Sequence, residues 1–325
     1  MKQKNPLITI NVFAHARRRY IKTNFGQLID LEKSIKDEIQ INLIADNRFR
    51  RGLAGTVRTL QKSGIGAKVI YANNYLMKVN VASQVKTPMV AKIDEDIFLT
   101  TANWQKLLTD SFNFDLDEEI LTPLISSGVP SVEYFLDNFL GKSEAILLRE
   151  QFSKFVFFDA WGVNLESLQG SYSTDEYLSF FRNVAKLDHH YKGVHPIRFS
   201  SGIQEELLKY IKNSTSWKTP IKSKGFIEDD VSPYFCNSFF ISKTRTYQAI
   251  FDGISSGKYF NDGFEEVALN QYLDLKSRPL YFNQGVAAIH PSYWTDDNIY
   301  TEISDDFYQF CNLQFSRKEN ELSSS

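Results

Sequence analysis

The stretch Met89-Val90-Ala91-Lys92-Ile93-Asp94-Glu95-Asp96-Ile97-Phe98-Leu99 sets three consecutive acids inside an otherwise apolar run. In open α/β sheets ligands collect beyond the carboxyl ends of strands, so Asp94 and Asp96 would project where a cation or a nucleotide can bind. Two carboxylates one residue apart supply hard oxygen ligands for Mg²⁺ or Mn²⁺, and such a metal can neutralise a diphosphate leaving group. The same tripeptide also suits a solvated turn in which an aspartate caps the next helix. A second acidic group, Asp262, Glu265 and Glu266, precedes the apolar run beginning at Val267. A carboxylate within hydrogen-bond reach of a desolvated hydroxyl can act as a general base. Alternatively, acids in a first helical turn stabilise the helix by about 0.3–1 kcal/mol. His290 follows a late apolar run, and its neutral imidazole would suit Mn²⁺ better than Mg²⁺, although no spacing rule ties it to the acids. His189, His190 and His195 match no zinc-site spacing and fit a loop. Arg17, Arg18, Arg19, Arg48, Arg50 and Arg51 follow two early apolar runs. Guanidinium groups match phosphate oxygens, but consecutive arginines on a helix cannot all point one way.

The elements that must carry these residues alternate between strand and helix in the first half of the chain, as in a mainly parallel sheet covered by helices. Leu7 to Ala14 is expected as the first strand. Ile21, Phe25, Leu28, Leu31 and Ile35 recur at helical spacing and predict a helix from Arg17 to about Lys36. Strand two is expected over Ile41 to Ala45, and a helix over Gly52 to Gln61 that Gly64 ends by taking the left-handed conformation. Strand three is Ala67 to Tyr71, and the next helix runs from Tyr75 to Val85 before Pro88. Strand four, Met89 to Ile93, leads into the acids, and Thr100 or Thr101 caps a helix through Leu108. The second half is less regular, with an aromatic stretch at Phe152 to Phe158. Strands are expected again over Tyr234 to Ser242 and Leu280 to Ile289, and helices over Thr244 to Ile254 and Glu265 to Leu273. No internal repeat occurs, and no linker is long enough to separate independent domains. The tail from Ser316 to Ser325 is polar and expected to fray.

Composition narrows the function classes. With 325 residues, 42% hydrophobic and 23% charged, the chain is an ordinary globular sequence, neither collagen-like, coiled-coil nor mainly disordered. The 37 Lys and Arg balance 39 Asp and Glu, so no overall field draws in nucleic acid or anionic lipid. Cys236 and Cys311 are too few for a disulfide framework. No stretch approaches the roughly 20 apolar residues of a membrane span. These features lead us to expect a soluble, cytoplasmic protein without a nucleic-acid partner, compatible with peripheral work at a membrane.

Strand one ending in Phe13-Ala14-His15-Ala16-Arg17, strand two ending in Ala45-Asp46-Asn47 and strand four ending in Asp94-Glu95-Asp96 together resemble the nucleotide-sugar-dependent glycosyltransferases of the GT-A fold, family-2-like and inverting. The resemblance spans most of the chain. It implies a Rossmann-like nucleotide-binding sheet with helices on both faces, continuous with an acceptor-binding half. Residues 1–110 would be the donor half, 111–295 the acceptor-binding and catalytic half, and 296–325 a tail. In that family the Asp-x-Asp motif binds the metal and the donor ribose, which here implies Asp94 and Asp96. Ala14 and His15 would occupy the turn that contacts the nucleotide, with Arg17 beside them, and Asp46 the acid position that hydrogen-bonds the base. A metal-binding histidine after a late strand would correspond to His290. Inverting members have Glu-Asp followed two residues later by Leu, the second acid being the base. Glu266 matches that position and Glu265 its neighbour, but this chain has Glu where the family has Asp, so Asp262 stands as a second candidate. The implied donor is a nucleoside diphosphate sugar, taken here as UDP-linked, the cofactor Mn²⁺ or Mg²⁺, and the acceptor a glycan or lipid-linked glycan.

Three other functions compete. A phosphohydrolase of the haloacid-dehalogenase kind ends its first strand in Asp-x-Asp, whereas this first strand ends without an aspartate. A dinucleotide-dependent oxidoreductase would need Gly-x-Gly-x-x-Gly after strand one, and Gly64-Ile65-Gly66 instead precedes a strand. A non-catalytic glycan-binding or scaffold protein would stack sugar rings on aromatic side chains, for which Trp104, Trp161, Trp217, Trp294, Tyr172 and Tyr234 are candidates, and require neither metal nor donor.

Overall fold

The computed structural model describes residues 5–14, 21, 24–46, 50–73, 75–95, 97, 99, 101–114, 116–117, 119–125, 142–143, 146, 226–229, 238–258, 269, 272–273 and 280–288. Among these residues eight strands form one sheet: β1 (Ile8–Ala14), β2 (Ile39–Ala45), β3 (Gly66–Tyr71), β4 (Met89–Asp94), β5 (Ile120–Ile125), β6 (Phe226–Asp229), β7 (Phe239–Lys243) and β8 (Leu280–Ala288), in the order β3-β2-β1-β4-β7-β5-β8-β6. The first four pair in parallel, with Ile8 opposite Ile39 and Met89, and Gln40 opposite Gly66. β7 then enters antiparallel between β4 and β5, β8 runs parallel to β5, and β6 closes the edge antiparallel to β8. The sheet is therefore mixed, Rossmann-like in its first half, and it joins strands from residues 1–110 and 111–295 without a break.

Both faces of the sheet are covered, and this explains why β1 and β2 read as nearly unbroken apolar runs. On one face, Ile8, Ile10, Val12 and Ala14 pack with Ala91 and Ile93, with residues of the segment 21–35, and with α1 (Arg50–Lys62) and α3 (Thr101–Asn113). The other face carries α2 (Tyr75–Ser83) and α4 (Thr244–Ser255), through Val79, Ala82, Tyr247, Ile250 and Phe251. Its strand residues include a buried polar group, Thr9, Asn11, Asn42 and Lys92. There the Asn11 amide donates to Ala82 O at 2.9 Å and accepts from Asn42 Nδ2 at 2.9 Å, so the polar side chains are bonded to the covering helix and to each other.

Three expectations are corrected by the structure. The segment up to Lys36 is not one helix: a 3-10 turn over Gln27–Asp30 gives way to extended Leu31 (ψ 154°) and Glu32 (ψ 144°) before a short helical turn over Lys33–Lys36. The five apolar residues at helical spacing are nonetheless all buried, so burial followed the pattern while the backbone broke. The strand Ile120–Ile125 is not among the expected elements, and it carries Pro123, which cannot donate to a ladder. The structure accommodates it at an irregularity of the ladder, where the β5–β8 register shifts from Pro123 opposite Asn283 to Leu124 opposite Ala287. Strand four extends one residue further than its apolar run and includes Asp94. By contrast, Gly64 ends α1 as expected, at φ 91°, with Gly64 N–H donating to Gln61 O and Ile65 N–H to Leu60 O.

The chain divides into two compact units, Met1–Ile125 with Ser223–Ile289, and Ser126–Lys222 with His290–Ser325. The sheet and its helices belong to the first. Among the described residues no helix is long and apolar enough to cross a membrane.

Candidate functional site

In the order β3-β2-β1-β4 the chain steps outward from β1 through β2 to β3 and then returns to the far side of β1. At such a reversal the loops leaving neighbouring strands diverge to opposite faces and open a crevice at the carboxyl ends. The register puts the three strand ends level, with Ala14 opposite Ala45 and Phe13 opposite Asp94. Three residues singled out from the sequence stand on this rim: Ala14 ends β1, Asp46 follows β2 directly, and Asp94 ends β4. β8 runs parallel to β5, and β5 in the same sense as β4, so β8 also ends on this rim, at Ala288.

Backbone bonds fix the rim. Asp94 N–H donates to Ser238 O at 2.8 Å, tying the end of β4 to the start of β7, and Ile97 N–H returns to Asp94 O at 3.3 Å. The Asn24 amide, fully buried, donates to Glu95 O at 3.0 Å, so the segment after β1 is bonded across to the segment after β4. Ala72 N–H donates to Ala45 O at 2.9 Å beside Asp46. Ala14 itself has no exposed side chain and is part of the core, so it can offer a ligand only its backbone.

Asp94 and Glu95 differ in their surroundings. Asp94, the last residue of β4, shares a sheet face with Lys92 because side chains two apart on a strand project to the same side. Lys92 Nζ lies 2.7 Å from Asp94 Oδ1, with side-chain exposures of 0% and 23%. The ammonium also sits 5.5 Å from the Phe13 ring centroid, within cation–π range. Glu95 turns inward and is 2% exposed. Asp96 lies outside the described residues, as do His15, Arg17, Asp262, Glu265, Glu266 and His290. Past Glu266, residues 269, 272 and 273 are helical, with Leu269 and Tyr272 buried.

Lys92 was not singled out from the sequence. A lysine inside an apolar strand was one available signal, and its spacing of two from an aspartate was the other. That spacing becomes informative only once the strand is known to reach Asp94.

Two carboxylates and an imidazole, the set Asp94, Asp96 and His290, have the donor chemistry of an Mn²⁺ or Mg²⁺ site. Among the described residues no three such side chains converge, and one oxygen of Asp94 is already bonded to Lys92. Of that set, Asp94 is the residue described, and it brings an oxygen donor to the rim.

No protein-family model matches the chain, and no curated protein matches it. Solved structures overlap it over about a third of its length. Glycosyltransferase GlyE of Streptococcus pneumoniae TIGR4 shares 17% identity at a TM-score of 0.29, covering 37% of this chain and 30% of that one. S. aureus TarS 1-349, solved in complex with UDP-GlcNAc, shares 15% at a TM-score of 0.28, covering 36% and 33%. The chain thus spans about a third of the structures it overlaps. Overlaps this short leave the activity to be argued from the chain's own residues.

Proposed function

We propose that the protein is a metal-dependent glycosyltransferase that moves a sugar from a nucleoside diphosphate sugar, UDP-linked in the first instance, to a hydroxyl of a glycan or lipid-linked glycan, with inversion. The observation that carries the proposal is the gathering of Ala14, Asp46 and Asp94 at the level carboxyl ends of β1, β2 and β4, where the strand order reverses. Three positions chosen for nucleotide contact by sequence resemblance fall on one rim, and that rim is where such sheets bind ligands.

In this mechanism residues 1–110 hold the donor and 111–295 supply the acceptor side and the base, with 296–325 as a tail. Asp46 would accept from the base of the nucleotide, with Ala14 at the end of β1 and with His15 and Arg17, which follow it in the sequence, as the further residues assigned to the nucleotide. Asp94, Asp96 and His290 would hold Mn²⁺ or Mg²⁺. When bound, the metal supplies positive charge against the diphosphate that departs. Glu266, with Glu265 and Asp262 as neighbouring candidates, takes the proton from the acceptor oxygen as that oxygen attacks the anomeric carbon from the face opposite the diphosphate.

Thermal denaturation against a panel of nucleoside diphosphate sugars with and without Mn²⁺ tests the donor claim. A donor at about 100 times its dissociation constant should add roughly 2.7 kcal/mol of stability, and only with metal present. Absence of any shift would favour the non-catalytic glycan-binding alternative. With a donor in hand, Glu266→Gln should lower turnover by at least 100-fold, in keeping with the usual scale of general-base catalysis, while donor affinity holds. Unchanged turnover would move the base to Asp262 or Glu265.

A further inference from the structure

We propose that Lys92 is a positioning residue of the donor site, an ammonium built into the sheet that holds the Asp94 carboxylate at the rim and offsets its charge. The inference rests on the donor-site reading above and adds a residue that reading does not contain. Lys92 stands in β4, level with Asn11 of β1 on one side and Phe240 of β7 on the other, and is fully buried. A lysine in such a place is costly unless its ammonium is bonded, and replacement by an apolar side chain of like volume would serve packing as well. What the ammonium does here is donate to Asp94 Oδ1 at 2.7 Å, from beneath the rim and out of solvent. Phe13, one residue before the end of β1, provides a ring face 5.5 Å from the same ammonium, so two rim strands share in holding it.

Two consequences follow from the charge. One carboxylate oxygen is fixed in direction, so the rim presents Asp94 in a single arrangement before any ligand arrives. The ammonium also offsets the charge of the carboxylate, and in a partly desolvated crevice that lowers the repulsion met by an anionic diphosphate and the attraction felt by a free dication. Removing the ammonium should therefore shift the two ligands in opposite directions, which simple damage to the site would not do.

The test is titration calorimetry on the full chain and on Lys92→Met, using Mn²⁺ alone and then, at saturating Mn²⁺, whichever of UDP, GDP and CDP binds the wild-type chain most tightly. The variant should bind the nucleoside diphosphate at least fivefold more weakly and Mn²⁺ alone at least threefold more tightly. A smaller loss of nucleotide affinity, or Mn²⁺ binding that is unchanged or weakened, overturns the role of Lys92. If the wild-type chain binds none of the three nucleotides, the donor-site reading itself fails, an outcome distinct from a variant that behaves like wild type. Should Lys92→Met not fold, Lys92→Gln keeps a hydrogen-bond donor, drops only the charge, and is held to the same two readouts.

Discussion

At Asp94 and Lys92 the same bond has unequal consequences for its two ends. The Lys92 side chain is wholly inside, whereas 23% of the Asp94 side chain reaches the surface. Taking away the carboxylate removes a bond from an ammonium in a dry interior, while taking away the ammonium leaves a carboxylate that water can reach. Breaking a buried pair from one side costs about 3–5 kcal/mol. Asp94→Ala should fall in that range in urea denaturation, and Lys92→Met should cost less. Equal costs, or the reverse order, would show that the difference in exposure between the two ends does not set the cost of breaking the bond. The acids were legible in the sequence because they interrupt an apolar run. The lysine was not, because the expected strand stopped at Ile93, and only its extension to Asp94 puts the two side chains on one face.

Among the elements, hydrophobic spacing carried the burial pattern further than it carried the backbone. Ile21, Phe25, Leu28, Leu31 and Ile35 all reach the core although the helix they predict is broken at Leu31 and Glu32. The chain there must turn back to start β2, and Glu38 O accepts from both Leu7 and Ile8 N–H to set that start. β5 was not expected, and its Pro123 is accommodated through a shift of register against β8, more than 150 residues away in the chain. Trp104 of α3 ties these pieces together: its ring centroid lies 5.8 Å from Phe25 and 5.4 Å from Phe239, and it is fully buried. Trp104→Ala should destabilise the protein by about 3–5 kcal/mol. Trp104→Phe should cost less than half as much, since it keeps a ring and removes an indole N–H that has no acceptor among the described residues. Chemical denaturation of the two variants checks the order, and a cost for Phe close to that for Ala would mean that the indole N–H is bonded.

For the molecule as a whole, the account makes the sheet a device for bringing distant stretches of sequence to one edge. The ends of β1, β2, β4 and β8 come from residues 14, 45, 94 and 288, and the start of β7 at Phe239 lies beside them. The alternation of strand and helix made the first half of this arrangement readable. The reversal of β7 was not readable, because a short strand buried on both faces has the same apolar look in either direction. The functional claim is carried by the donor rim, where Ala14, Asp46 and Asp94 come together. Amide hydrogen exchange with and without nucleoside diphosphate sugar and Mn²⁺ measures that rim directly. The account predicts slowed exchange in peptides covering residues 14–20, 45–48 and 94–97, with the amino-terminal ends of the same strands, at Ile8, Ile39 and Met89, unaffected. Protection confined to those amino-terminal ends, or absent from all three rim segments while the donor is bound, would contradict it.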